Sequence, residues 1–195
     1  MNIIFVKFGT KYSHEHVNAL HNQLKDFTDA KYYCYTDNPT GVEIECVTPI
    51  KKPTLPGVWN KLAILSNEMP WEDECVLFDL DSKVNFNPLP FLEWNDTLTI
   101  LNDYSKKDFT WKKHAYDTRY NSSIMSWKAG TTDHIWKHFL SNHDYFRRKY
   151  AGIDRFLWNE KIEVNNFKDG IYNSIANPYD KPCPIDTWDN LEFKL

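Results

Sequence analysis

The chain opens on an apolar run, Asn2-Ile3-Ile4-Phe5-Val6-Lys7-Phe8, stopped by Gly9. β-Branched and aromatic residues at this density predict a first strand. Gly9-Thr10-Lys11-Tyr12-Ser13 reads as a turn. Ser13 is placed to cap the next helix, although with His16 it falls short of a full capping box. Val17, Leu20, Leu24 and Phe27 recur at helical spacing and predict an amphipathic helix over about residues 14–27. Lys31 to Thr36 is a second strand, stopped by Asp37-Asn38-Pro39. Residues 42–47 alternate cleanly and predict a third strand nearer an edge. Strand, helix and strand at these intervals begin a parallel, helix-covered sheet.

A proline-rich loop, Pro53 to Gly57, precedes a helical pattern from Trp59 to Leu65 that ends near Pro70. Cys75-Val76-Leu77-Phe78 follows as a continuous apolar run, the mark of a strand covered on both faces. It leads directly into Asp79-Leu80-Asp81. After the break at Asn87-Pro88-Leu89-Pro90, Thr97 to Leu101 is another strand, ending in Asn102-Asp103. Residues 104–119 have no period and read as a long loop over the site. Asn121 to Trp127 is a short strand with a polar entrance. Thr132 or Asp133 starts a helix with Ile135, Trp136, Phe139 and Leu140 on one face, and Tyr150 to Trp158 is a turn and a short helix. The pattern weakens from Ile162. Pro178, Pro182 and Pro184 suggest an irregular tail from about residue 160. No repeat and no linker divides the chain, so a single domain over 1–195 is expected.

Composition narrows the function. A chain of 195 residues is long enough to bury a real core, and 16% aromatic residues exclude a disordered chain. The formal charge of −4, from 23 basic and 27 acidic residues, carries no footprint for nucleic acid, so an anionic substrate must be held by local groups. Cys34, Cys46, Cys75 and Cys183 are scattered without a Cys-x-x-Cys pair. They read as small buried hydrophobes in a reducing compartment. The N-terminal run lacks a basic start, a long apolar core and a cleavage site, and no run approaches a membrane span. The expectation is a soluble, cytoplasmic protein.

The candidate chemistry lies at the strand ends: Gly9-Thr10, Asp37, Asp79 with Asp81, Asn102-Asp103 and Asn121-Ser122. Each alone is ordinary, since loop starts are polar and Asp and Asn cap helices. Together they gather at one edge of a parallel sheet, where open α/β sheets bind ligands. Asp79 and Asp81 are spaced i, i+2, so in extended chain both face one site. Two hard oxygen donors suit a divalent cation held against a phosphate; the competing reading is an acidic loop after a core strand. His134 and His138 stand i, i+4 without the glutamate of a His-Glu-x-x-His zinc helix and read as a solvated helix face. Arg147-Arg148-Lys149 reads as a basic helix end.

Six segments in order carry a resemblance: Phe8-Gly9-Thr10 with Tyr12; Tyr35-Thr36-Asp37; Trp59-Asn60-Lys61-Leu62; Val76-Leu77-Phe78-Asp79-Leu80-Asp81; Tyr120-Asn121-Ser122-Ser123-Ile124-Met125; and Gly152-Ile153-Asp154. Over roughly residues 3–158 this order resembles the GT-A glycosyltransferases, in particular the family-eight-like, glycogenin- and galactosyltransferase-type branch with its small bacterial and viral relatives. The resemblance implies an α/β GT-A nucleotide-diphospho-sugar transferase fold, with a mixed, mostly parallel central sheet flanked by helices. It implies transfer of a sugar from a nucleotide-diphosphate-sugar donor to a hydroxyl of a glycan or other acceptor. Phe8, Gly9, Thr10 and Tyr12 would line the base and ribose pocket, bordered by Asp37 and Leu80. Asp79 and Asp81 would bind Mn²⁺ or Mg²⁺, which bridges the donor diphosphate and neutralises the leaving group. Lys61 would add positive charge there. Asn121, Ser122 and Asp154 would line the sugar donor and acceptor, with Asn121 and Asp154 as the catalytic candidates. Trp111 is a candidate for stacking on a sugar face.

The chain departs from the family in two places. The family closes its site with a C-terminal His-x-Gly-like segment whose histidine is a third metal ligand, whereas here the last histidine is His143. The family's Asp-Gln pair reads Asp154-Arg155. A catalytically impaired nucleotide-sugar- or carbohydrate-binding module is therefore the alternative of a different class. Phe78-Asp79-Leu80-Asp81 also resembles the first motif of haloacid-dehalogenase-type phosphatases, with Asp79 as nucleophile and Asp81 as acid. Lys83 stands where that motif has Thr or Val, and the position is far from the N-terminus.

Overall fold

The structure is a computed structural model and describes residues 1–49, 55–103, 118–174 and 181–187. The strands β1 (Asn2–Lys7), β2 (Lys31–Thr36), β3 (Glu45–Val47), β4 (Glu74–Phe78), β6 (Leu98–Asn102), β7 (Tyr120–Lys128) and β8 (Val164–Asn166) form a seven-stranded sheet in the order β3-β2-β1-β4-β7-β6-β8. β5 (Ser82–Val84), β9 (Tyr172–Ser174) and β10 (Ile185–Thr187) form a second sheet in the order β5-β10-β9. The helices are α1 (His14–Leu24), α2 (Asn60–Ala63), α3 (Asp133–Ser141), α4 (His143–Lys149) and α5 (Ile153–Asn159).

β1 pairs in parallel with β2 on one side and β4 on the other, and β2 pairs in parallel with β3. β7 runs antiparallel to both β4 and β6, and β6 is parallel to β8. Mixed but mostly parallel pairing is what the expected fold class requires. The chain goes one way from β1 to β2 and returns to the other side with β4. The gap between the C-terminal ends of β1 and β4 is therefore the switch point at which such sheets take ligands.

Two apolar layers cover the sheet. β4 contributes Cys75 and Leu77 to one and Val76 and Phe78 to the other, all fully buried, as the unbroken apolar run requires. The first layer packs α2, α3, α4 and α5 through aromatic side chains: Phe139 stacks on Trp59 at 5.1 Å and meets Phe156 edge-on at 5.6 Å. The second buries Val17, Leu20 and Leu24 of α1, about 1.5–3 kcal/mol each by area.

Several boundaries differ from the sequence reading. α1 stops at Leu24, and Phe27 is exposed beyond it. Its N-terminus is a capping box with histidine in the glutamate's place: the Ser13 N–H donates to His16 Nδ1 at 3.2 Å. The 42–47 alternation yields only the edge strand Glu45–Val47. The helix expected from Trp59 is a 3-10 turn, Gly57–Trp59, and one α-turn, Asn60–Ala63. The short strand expected from Asn121 to Trp127 extends over Tyr120–Lys128, nine residues. The irregular tail from about residue 160 is corrected: β8 adds to the large sheet, and β9 and β10 build the small one with β5. Three-residue strands carry too little alternation to read, and their partners lie far away in sequence. The long-loop reading of 104–119 and the Trp111 platform fall almost wholly on 104–117, outside the described residues, as do Pro178 and the chain's last eight residues.

His134 and His138 do not form a metal pair. His134 Nδ1 lies 3.1 Å from the Thr131 carbonyl, and His138 Nε2 lies 3.3 Å from Glu160 Oε2. Arg147 and Arg148 close the last turn of α4 on Asp144, the basic helix end expected. The four cysteines are free thiols. Among the described residues no helix is long and apolar enough to cross a membrane.

Candidate functional site

The topology brings the strand-end motifs to one edge. β1, β2, β4 and β6 all end there, and β7, running the other way, begins there. Gly9-Thr10, Asp37, Asp79 with Asp81, Asn102-Asp103 and Asn121-Ser122 thus share the C-terminal edge of the sheet.

Asp79 and Asp81 face one site, though not by strand alternation. β4 ends at Phe78, and the Ser82 N–H donates to the Asp79 carbonyl at 3.1 Å, closing a turn over residues 79–82. The Asp79 N–H donates to the Ser123 carbonyl at 2.9 Å, which anchors the turn to β7. Leu80, between the two, points back into the core at 3% exposure, so its side chain is withheld from a ligand at this edge. The turn that presents both carboxylates rotates the residue between them inward, so Leu80 would border a nucleotide only through its backbone.

Each carboxylate has a partner. Lys61 Nζ lies 2.5 Å from Asp79 Oδ1 and donates to the Ser122 carbonyl at 3.3 Å. The Tyr12 hydroxyl donates to Asp81 Oδ2 at 2.7 Å, and Lys11 Nζ stands 4.0 Å from that oxygen. Burial pushes the Asp79 carboxyl above its ordinary value. Lys61 opposes this, while the charges of Asp81 and Asp154 add to it, which places all three carboxylates in one electrostatic neighbourhood. Burial, then the charge and hydrogen bond of Asp81, raises the Tyr12 phenol well above its usual range, so it stays a proton donor.

The remaining positions frame this centre. Asp37 Oδ2 accepts the Gly9 N–H at 3.0 Å, which pins the turn after β1, where Gly9 sits at φ +70°. Phe8 packs its ring on Tyr35 at 5.0 Å, while Thr10 is exposed. Asn121 Oδ1 accepts the Ser123 N–H at 2.8 Å, and Ser122 meets Lys61 through its carbonyl. Lys11 was not singled out from the sequence, because one lysine in a polar turn carries no pattern. A cavity of about 310 Å³, bounded by Trp71, Asp73 and Gly130, lies at the opposite end of β4 and takes no part in this site.

The donors fit a hard divalent cation in kind. Lys61 and Tyr12 engage one oxygen of each carboxylate, and the other oxygen of each remains for a metal ion. Among the described residues no three His, Cys, Asp or Glu side chains form a metal-binding group. A cation held by Asp79 and Asp81 would complete its shell from phosphate oxygens and water, the pattern usual for Mg²⁺.

Neither a protein-family model nor a curated protein sequence matches the chain. Solved structures do. An active-site mutant of LgtC superposes with TM-score 0.68 at 12% identity, covering 98% of this chain and 88% of LgtC. The galactosyltransferase LgtC in complex with donor and acceptor sugar analogues gives 0.63 at 11% identity, over 97% of this chain and 87% of that one. The glycosyltransferase GlyE of Streptococcus pneumoniae TIGR4 gives 0.67 at 10% identity; 98% of this chain is covered, but only 57% of GlyE. The chain has the GT-A glycosyltransferase fold. This likeness gives the phosphatase reading of Asp79 no support.

Proposed function

We propose that the protein is a glycosyltransferase that moves a sugar from a nucleotide-diphosphate-sugar to an acceptor hydroxyl, with Mn²⁺ or Mg²⁺ at Asp79 and Asp81. One observation carries this reading. Two carboxylates, a buried lysine and the turn after β1 converge at the switch point of a sheet with the GT-A glycosyltransferase fold.

The residues divide the work by position. Phe8, Gly9, Thr10 and Tyr12, with Asp37 pinning the Gly9 amide, form the nucleotide side. Asp79 and Asp81 hold the cation, and Tyr12 keeps Asp81 oriented toward it. The metal, when bound, supplies positive charge that stabilises the leaving nucleoside diphosphate. Lys61 adds a fixed positive charge from within the protein, at no reorganisation cost when the leaving group gains charge. In the transfer itself, the bond between the anomeric carbon and the β-phosphate oxygen breaks, and the nucleoside diphosphate leaves with the electron pair. The acceptor oxygen bonds to the anomeric carbon and passes its proton to the departing diphosphate. Asp154 and Asn121 flank this centre with a carboxylate and an amide. Such groups suit sugar hydroxyls, which both donate and accept. Asp154, whose charge is felt at Asp79, is the proposed catalytic carboxylate.

A second reading is binding of a nucleotide-sugar without transfer, favoured by a donor set of two carboxylates: among the described residues no third His, Cys, Asp or Glu joins them in a metal-binding group. Incubation with UDP-sugars and GDP-sugars and Mn²⁺ separates the two. Release of nucleoside diphosphate, lost in Asp154→Asn, supports transfer. Metal-dependent binding with no turnover supports the binding module.

A further inference from the structure

Trp158 is the one exposed tryptophan among the described residues: it is 39% exposed, while Trp59, Trp71 and Trp127 are buried in the core and Trp94 and Trp136 are half-buried. A large aromatic face left to water costs free energy that packing inward would recover. Trp158 is nevertheless held in place, because its ring meets that of Tyr120 at 5.0 Å and 82°, an edge-to-face contact that fixes both planes.

Its position relative to the site follows from two elements. Trp158 lies four residues after Asp154 on α5, so the two share a helix face. Helical side chains lean toward the N-terminus, which carries the indole back over the turn that bears Asp154. Asp154 in turn is near enough to Asp79 for its charge to be felt there. From the other side, Tyr120 precedes Ser123 by three residues on β7, and the Ser123 carbonyl holds the Asp79 N–H. β7 shifts register against β6 between Asn121 and Met125, so Tyr120 lies at most about 10 Å from Ser123, on the outer side of that bulge. The aromatic pair therefore stands at the same edge of the sheet as the metal pair, where Tyr120 pairs with Asn102 at the end of β6, with Trp158 on the helix that carries Asp154.

We propose that Trp158, oriented by Tyr120, is the stacking platform for a pyranose ring of the acceptor. The proposal rests on the transferase reading and adds the acceptor's chemical class. A pyranose presents an apolar C–H face that an exposed indole can shield from water, while its hydroxyls reach toward the Asp154 carboxylate. An acceptor without a sugar ring, such as a protein hydroxyl or a simple alcohol, would leave the indole unused.

The test is saturation-transfer NMR of the full chain, with UDP and Mn²⁺ present, against methyl glucoside, galactoside, mannoside and N-acetylglucosaminide in both anomeric forms. The expected result is binding of at least one pyranoside. Trp158→Ala should weaken it about tenfold, as the loss of a good aromatic contact would, and Trp158→Phe should restore most of it. Phe27→Ala, an aromatic of similar exposure just beyond the end of α1, should bind as the parent does. Thermal unfolding of each variant separates a lost platform from a lost fold, and Trp158→Phe keeps the question answerable if Trp158→Ala unfolds. The proposal is overturned if no pyranoside binds, if both Trp158 variants bind as the parent does, or if Phe27→Ala weakens binding equally. Titration of the parent with UDP and GDP keeps the two claims apart. Absent nucleotide binding overturns the transferase reading, whereas nucleotide binding together with pyranoside binding that does not depend on Trp158 overturns only the platform.

Discussion

Lys61 Nζ lies 2.5 Å from Asp79 Oδ1, and both side chains keep only a small exposure, 11% and 20%. Neither charge is comfortable without the other. Burial raises the Asp79 carboxyl, and Lys61 is the main force that opposes this.

Lys61→Met therefore strands a half-buried carboxylate. The expected cost is about 2–3 kcal/mol, at or below the range for breaking a fully buried pair. It should show as a lower urea midpoint at neutral pH. The penalty should shrink in acid, where Asp79 is neutral. An equal penalty at all pH values would mean that packing of the lysine stem, and not its charge, is what the variant removes.

Tyr12→Phe removes the hydroxyl that orients Asp81 and leaves the ring in place. A hydrogen bond to an ionised carboxylate contributes about 1.5–3 kcal/mol where it is well buried, so a loss of about 1–2 kcal/mol is expected at this partly open position. Calorimetric titration should show weaker metal-dependent nucleotide binding. Unchanged affinity would place Asp81 under the control of the turn alone.

The stability that α1 draws from its histidines should fall on mild acidification. His16 and His21 both lie on α1, and burial holds both below the ordinary imidazole value of 6.5. Their stabilising contribution is full above the unfolded value and is lost as pH falls through 6.5 toward the lower folded values. The histidines' share of the melting temperature should drop between about pH 7 and pH 5, against the opposite pull of Asp79, whose raised carboxyl favours the folded state on protonation. A double variant, His16→Gln with His21→Asn, should flatten that slope. Gln at position 16 still offers an acceptor to the Ser13 amide.

The parts of this molecule legible in the sequence were those fixed by local periodicity. β1, β2, β4 and α1 could be placed because strand and helix periods are strong over five or more residues, and β4 declared its burial by an unbroken apolar run. The convergence of strand ends followed from the β1-α1-β2 unit and its handed, parallel continuation. What escaped were pairings between distant short segments: β5 with β10, β9 with β10 and β8 with β6. The partners of the carboxylates escaped for a similar reason. Tyr12 and Asp81 are 69 residues apart, and Ser122 and Lys61 are 61 apart, distances over which sequence pattern carries no contact information. The turn over residues 79–82 also misled the reading locally. An i, i+2 spacing looks like strand alternation, and only the Ser82-to-Asp79 hydrogen bond reveals a turn that buries Leu80.

The central claim is that Asp79 and Asp81 hold a divalent cation against a nucleoside diphosphate. The most direct measurement is calorimetric titration of the protein with UDP and with GDP, each with and without Mn²⁺, repeated on Asp79→Ala and Asp81→Ala. The account predicts binding of at least one nucleotide that strengthens with Mn²⁺ and loses its metal dependence in both variants. Absence of metal-dependent binding in the parent protein, or its survival in the two variants, would contradict it.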